Sequence, residues 1–271
     1  MQKGRSFILF LFIFWILSSS KYSYSQTSFS KFKTKTITVD GLASEWTMPL
    51  RFYNNETKLF FAMINDSANL YLVFQSNDER NQVKINRAGM RVGVSVKTKR
   101  KCNATLDFPL TDKKNRFAEE DIDSETKPDI AGLKNTFLIQ NTNMAIKGFV
   151  THDGVIPLKD SSGINVALNW DKNNIMTYEL VIPFKELFGA NYTTDDLLKV
   201  ITLDVEVNAV TRVDEGGSVD GSQAAMGASG MGATRGMTGG MPGGTGGERK
   251  ERKPMFDANK LKQKFTLSFT P

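Results

Sequence analysis

The feature that most constrains this chain is the period of its apolar residues, which is two rather than 3.6 from Thr34 onward. A strand sends successive side chains to opposite faces, so a half-buried strand alternates apolar with polar. Met90–Val96 does this cleanly, with Val92, Val94 and Val96 set off from Arg91, Gly93 and Ser95. Residues 58–64 and 70–75 are dense in Leu, Phe, Tyr and Val, and Asn65-Asp66-Ser67 between them reads as a hairpin connection. Further strands are expected at 36–39, 105–110, 136–140, 145–151, 164–170, 176–182, 200–210 and 264–269, with one helical turn at 183–188. Many strands on short polar connections, without long amphipathic helices, predict an all-β fold. The expected architecture is an antiparallel, jelly-roll-like β-sandwich spanning 34–271.

One segment departs from that period. Between Asp214 and Gly247 lie 13 of the 22 glycines, together with Met226, Met231, Met237 and Met241. Such a tract buries too little apolar surface to offset its backbone entropy, so 214–253 is expected to be a disordered Gly/Met-rich insertion before the last strand. Closing a long loop costs little more than closing a short one, which makes an insertion between paired strands tolerable. Its methionines and the basic cluster Arg249-Lys250-Glu251-Arg252-Lys253 are the expected contact elements for an envelope protein partner. Thioethers also suit Cu(I), but their spacing in a floppy chain supplies little preorganisation.

The N-terminus reads as an address. Lys3 and Arg5 precede eleven consecutive apolar residues, 7–17, followed by Ser18-Ser19-Ser20. These are the three regions of a secretory signal. Eleven helical residues span about 16 Å, too short for a hydrocarbon core of about 30 Å. Ser23 and Ser25 precede a plausible cut before Gln26, so 1–25 is expected to be a signal peptide and 26–33 an N-terminal linker. The expected location is the periplasm or the outside of a bacterial cell, with no transmembrane span after cleavage. Removing 1–25 deletes Lys3, Arg5 and Lys21 and no acid, so the net charge falls from +6 to +3. No basic face with interleaved aromatics runs through the middle of the chain, which argues against nucleic acid as a partner.

Composition also removes much chemistry. One cysteine and one histidine exclude an intramolecular disulfide framework, a cysteine zinc site, an iron–sulfur cluster and, in a monomer, a His-His metal centre. There is no Gly-x-Ser-x-Gly elbow and no phosphate-binding Gly-x-Gly-x-x-Gly between a strand and a helix, and no carboxylate pair stands out among 29 acids. A non-catalytic protein is expected. Cys102, after Lys99-Arg100-Lys101, is either a thiol of lowered pKa or a small residue packed at a strand end.

The most distinctive string is Asp40-Gly41-Leu42-Ala43-Ser44-Glu45-Trp46, a sharp turn followed by a large ring. Ile37-Thr38-Val39-Asp40-Gly41 with Glu45-Trp46 resembles the opening "I-D-G-x-x-D-E-W" pattern of family 9 carbohydrate-binding modules and their DOMON-like relatives. Two later strings agree in order. Asn65-Asp66-Ser67-Ala68-Asn69-Leu70-Tyr71-Leu72 resembles the family's "N-D-x-x-N-L-Y-L" hairpin, and Thr177-Tyr178-Glu179-Leu180-Val181-Ile182-Pro183-Phe184 its "Y-E-x-x-I-P-W" strand and helix. The likeness covers about 34 to 210 plus the final strand, and extends to uncharacterised exported proteins of the Bacteroidetes type. The strand Met90–Val96 lacks the carboxylate of the family's "V-E-x-x-x-D" pattern, so any calcium or polar sugar contact the family places there is not carried over.

The resemblance implies a glycan held between aromatic rings, since sugar faces stack on flat apolar surfaces. After residue 25 the chain has only Trp46 and Trp170. Trp46 belongs to the turn motif, so Trp170, next to Asp171, is the expected platform, the alternative being a core ring. Asp66, Asn69 and Asp78 are candidate oxygen ligands for Ca²⁺, or plain turn residues. Some DOMON-like relatives hold haem between Met and His or Lys, which here implies His152 with Met63, Met90, Met144 or Met176. The expected function is weak glycan binding or an accessory role, against a structural or protein-interaction module, with haem-dependent electron transfer a third class. The cheapest discriminator of that third class is colour.

Overall fold

The computed structural model describes residues 27–33, 35–97, 102–110, 129–151, 153–211 and 254–269. Outside them lie the expected signal peptide, the tract 214–253, Lys99-Arg100-Lys101, His152 and an acid-rich stretch, Glu119 to Glu125, whose sequence reads as a solvated loop. Thirteen strands are described: β1 (Ser28–Phe29), β2 (Lys31–Phe32), β3 (Phe52–Asn54), β4 (Leu59–Asn65), β5 (Asn69–Ser76), β6 (Met90–Val96), β7 (Cys102–Phe108), β8 (Asn143–Lys147), β9 (Gly154–Pro157), β10 (Asn165–Trp170), β11 (Met176–Pro183), β12 (Ile201–Val207) and β13 (Asn259–Thr266). Four helices join them: α1 (Glu79–Ala88), α2 (Ile130–Gln140), α3 (Phe184–Phe188) and α4 (Thr194–Leu197).

Two sheets form the expected sandwich. One runs β1-β13-β12-β6-β7-β8-β9; the other runs β10-β11-β5-β4-β2, with β3 also paired to β4. Their inner faces meet through the alternating residues: Leu59, Phe61 and Met63 of β4 and Leu72, Phe74, Tyr178 and Leu180 of the central strands face Val92, Val94, Leu106, Leu203 and Val205 in one core. Each such apolar side chain stabilises the fold by about 2 kcal/mol through burial. The outer face of the seven-stranded sheet stays polar, with Arg91–Asp107, Lys260–Glu206 and Lys262–Asp204 paired across strands. Exposed pairs of this kind contribute little.

The six-stranded sheet is different, because its outer face is covered too. Residues 35–50 lie across it and bury Trp46 and Leu50 against Tyr71, Val73 and Val181. That explains why β11 is buried along its whole length and β5 at all but its first residue.

Three expectations change. The expected linker 26–33 contributes β1, paired parallel to β13, and β2, paired parallel to β4, so the otherwise antiparallel sheets each carry one short parallel edge. Ser30 between them is buried and bonds Asn65 Oδ1, which also accepts from Ser268 N at 3.0 Å; the strap thus ties both sheets to the C-terminal segment. Residues 36–39 form no strand, because they serve as covering chain. Residues 136–140 are the end of α2: Asp129 Oδ1 accepts from Gly132 N at 3.0 Å and caps a helix that turns Phe137 into the core.

The chain re-enters after the tract beside the end of β12, where Val210 N donates to Met255 O at 3.0 Å. Lys84 of α1, only 2% exposed, donates to Asp257 O and Asn259 Oδ1 and so fastens the re-entry. Burial lowers its pKa to about 8, against the opposing pull of Asp257. A neutral amine still has donors for both acceptors. Above the ordinary lysine pKa of 10.5 the group is neutral folded or unfolded; below about 8 the fold carries a desolvated ammonium. Raising the pH from 7 to 10.5 should therefore stabilise the parent chain relative to Lys84→Met, by about 1–3 kcal/mol once partial solvent screening is counted. Urea unfolding of both proteins at the two pH values checks this; parallel pH profiles would contradict it.

Candidate binding cleft

The turn at Asp40-Gly41 is sharp because Gly41 has φ +79°, and a Cβ there would stand 2.6 Å from Asn169 Cβ. Asp40 Oδ1 accepts from Leu42 N at 2.7 Å, and a short 3-10 turn, Ala43–Glu45, then delivers Trp46 onto the sheet. Glu179 of β11, with no exposed surface, receives the whole motif. Its Oε2 accepts from Asp40 N at 3.0 Å and Gly41 N at 2.9 Å, and its Oε1 from Trp46 Nε1 at 2.7 Å. Burial pushes the Glu179 carboxyl up, outweighing these three donors, which pull it down.

Between this cover and the N-terminal strap lies a cleft of about 300 Å³. Lys31 and Lys33 of the strap, Lys35 at the start of the cover, Ser44, Glu45, Trp46 and Thr47 around the 3-10 turn, and Ile64 of β4 line it. Glu45 Oε2 is shielded from solvent and has no hydrogen-bond partner among the described residues. Lys33 is committed: its Nζ lies 3.0 Å from Asp66 Oδ2 and 3.0 Å from Tyr71 OH, and 4.7 Å over the Tyr71 ring. Burial pulls the Lys33 pKa down, but the bonds to Tyr71 and Asp66 more than compensate and leave it raised.

Of the expected ligand-binding residues, only Trp46 lines this cleft. It is 5% exposed, with its indole N–H turned inward to Glu179. Trp170, the expected platform, sits 7% exposed in the main core, edge-on to Phe137 at 5.4 Å, donating from Nε1 to Gln82 Oε1 at 2.9 Å. Asp171 closes the β10–β11 turn, its Oδ1 accepting from Asn173 N and Ile175 N, each at 2.8 Å.

The three expected calcium ligands do not converge. Asp66 and Asn69 share the β4–β5 turn, whereas Asp78 lies past the far end of β5, where its Oδ1 accepts from Asn81 N at 2.8 Å and caps α1. Both Asp66 oxygens are engaged, Oδ1 by the N–H groups of Ala68 and Asn69 and Oδ2 by Lys33 and Tyr71. Those donors outweigh desolvation and hold its carboxyl below the usual range. Among the described residues, no group of three or more His, Cys, Asp or Glu is placed to hold a metal ion. Met63, Met90, Met144 and Met176 are all core residues, and Cys102 is buried at the start of β7. No described helix is long and apolar enough to cross a membrane.

The lysines of the cleft were legible as Lys31-x-Lys33-x-Lys35, a period of two that puts alternate residues of an extended segment on one side. Glu179 was legible only as part of a string, since its partners lie 133 to 139 residues away. Compared with family models, curated proteins and solved structures, the chain finds no match.

Proposed function

We propose that this is an exported, non-catalytic β-sandwich that binds a glycan in the cleft between the N-terminal strap and the 3-10 turn. The observation that carries the reading is Glu45 Oε2, a shielded carboxylate oxygen without a donor, on a side chain lining that cleft. Leaving such an acceptor unmade costs about 1–3 kcal/mol, so native proteins seldom do it without a use. A sugar hydroxyl supplies the donor once the Glu45 side chain turns Oε2 out of its shielded position into the cleft, and Ser44 and Thr47 offer further polar contacts. The likeness to family 9 modules supports the ligand class, and the signal-like N-terminus supports export. Stacking has no part in this version, because Trp170 is inside the core.

Isothermal titration of the purified chain against xylan, cellulose, chito-oligosaccharide and oligouronate fragments tests the reading. At least one should give a saturable heat, weakened about tenfold or more by Glu45→Ala, which loses one charge-assisted hydrogen bond. Heat-free titrations across the whole panel would remove the proposal.

A further inference from the structure

We infer that the glycan this cleft takes is acidic, its carboxylate or sulfate group held by Lys31 and Lys35 while Glu45 accepts one of its hydroxyls. The inference rests on the glycan reading above and adds the charge of the ligand. Three lysines recur at every second position from the strap to the start of the cover, and all three line the cleft. They are not equivalent. The charge of Lys33 is balanced by Asp66 at 3.0 Å, and its head is held over Tyr71. Lys31 and Lys35 are exposed, and neither is joined to a carboxylate among the described residues.

Among the described residues Glu45 is the single carboxylate in the cleft lining, so the two unpaired ammonium groups outnumber it. Glu179 is outside the lining, and its oxygens accept from Asp40 N, Gly41 N and Trp46 Nε1 rather than from either lysine. A neutral sugar gains only ordinary hydroxyl hydrogen bonds from the lysine pair. An anionic one gains two charge-assisted contacts and still has hydroxyls for Glu45. A lysine head is a compact point charge with no planar fork, so carboxylate and sulfate suit it alike.

The test titrates the full chain with four probes: a trigalacturonate, its neutral methyl ester, a sulfated neutral trisaccharide and inorganic tripolyphosphate. At low salt at least one acidic saccharide should bind about tenfold tighter than the ester. That gap should shrink to about threefold or less in the Lys31→Gln, Lys35→Gln double variant, and likewise in about 0.5 M salt. The uronate and sulfate arms tell which anion is preferred, and preference for either supports the inference.

Equal affinity for acid and ester overturns it, while ester binding that depends on Glu45 leaves the glycan reading standing. A preference that survives loss of both lysines also overturns it. Tripolyphosphate binding as tightly as the saccharides makes this a plain anion site and overturns it too. Silence from every saccharide overturns both readings. Because both substituted side chains are exposed, an unchanged urea midpoint should accompany the double variant and exclude misfolding as the cause.

Discussion

The Glu179→Ala variant should unfold with about 4 kcal/mol less free energy than the parent chain. The carboxylate stands on the outer face of β11 and closes three hydrogen bonds, to Asp40 N, Gly41 N and Trp46 Nε1, at 3.0, 2.9 and 2.7 Å. Alanine leaves three donors facing a dry hollow, and each unsatisfied group costs about 1–3 kcal/mol. Water entering with a loosened cover recovers part of that sum. The loss should be concentrated in the layer that Glu179 holds. Residues 35–50 pack through Trp46 and Leu50, and without the anchor Trp46 meets water while the inner core stays closed. A red-shifted emission with a native far-UV spectrum is the expected signature.

Glu179→Gln separates shape from charge. Its amide oxygen can still accept from the two backbone N–H groups, but its NH₂ then meets the Trp46 indole N–H, donor against donor. About half the loss, some 2 kcal/mol, should remain. Urea unfolding followed by fluorescence measures both variants. A loss below about 1 kcal/mol for the alanine variant would mean that apolar contact alone holds the cover.

The same residues mark what the chain discloses in one dimension. Met90–Val96 is legible because one of its faces is polar, so alternation survives. The strands β5 and β11 lose alternation through burial on both faces, yet their density of Leu, Val, Phe and Tyr identifies them. Residues 136–140 mislead because a short apolar run has no period of its own; the discriminating signal is the cap at Asp129, seven residues upstream. The helix α1 carries legible end signals, Asp78 at its start and Gly89, φ +80°, at its end, but Asp78 reads equally as an oxygen ligand. The site was harder to see. A cleft between a strap near residue 31 and a turn near residue 45 depends on both being laid over one sheet, which local pattern does not encode.

Trp170 carries the second large effect, and it inverts what a ligand platform predicts. Trp170→Ala should cost about 4 kcal/mol of stability, lowering the melting temperature by about 12 °C for a chain of this size, with glycan binding in the cleft unchanged at temperatures where the variant is folded. A surface platform would do the reverse, losing the ligand and keeping the melting temperature. The ring is 7% exposed and packs edge-on against Phe137, so truncation opens a cavity that α2 cannot collapse into without leaving its cap. It also removes the donor to Gln82, itself without exposed surface, whose Nε2 donates to Ser76 O at 2.9 Å and Asn174 O at 2.8 Å. Gln82 thus joins α1, the end of β5 and the β10–β11 turn, and Trp170 is the fourth group on that hub. Trp170→Phe keeps most of the packing and loses only the hydrogen bond, so about 1–2 kcal/mol is expected. Thermal unfolding of the two variants alongside saccharide titration decides the matter. Lost binding at an unchanged melting temperature would return Trp170 to the ligand and set the cleft aside.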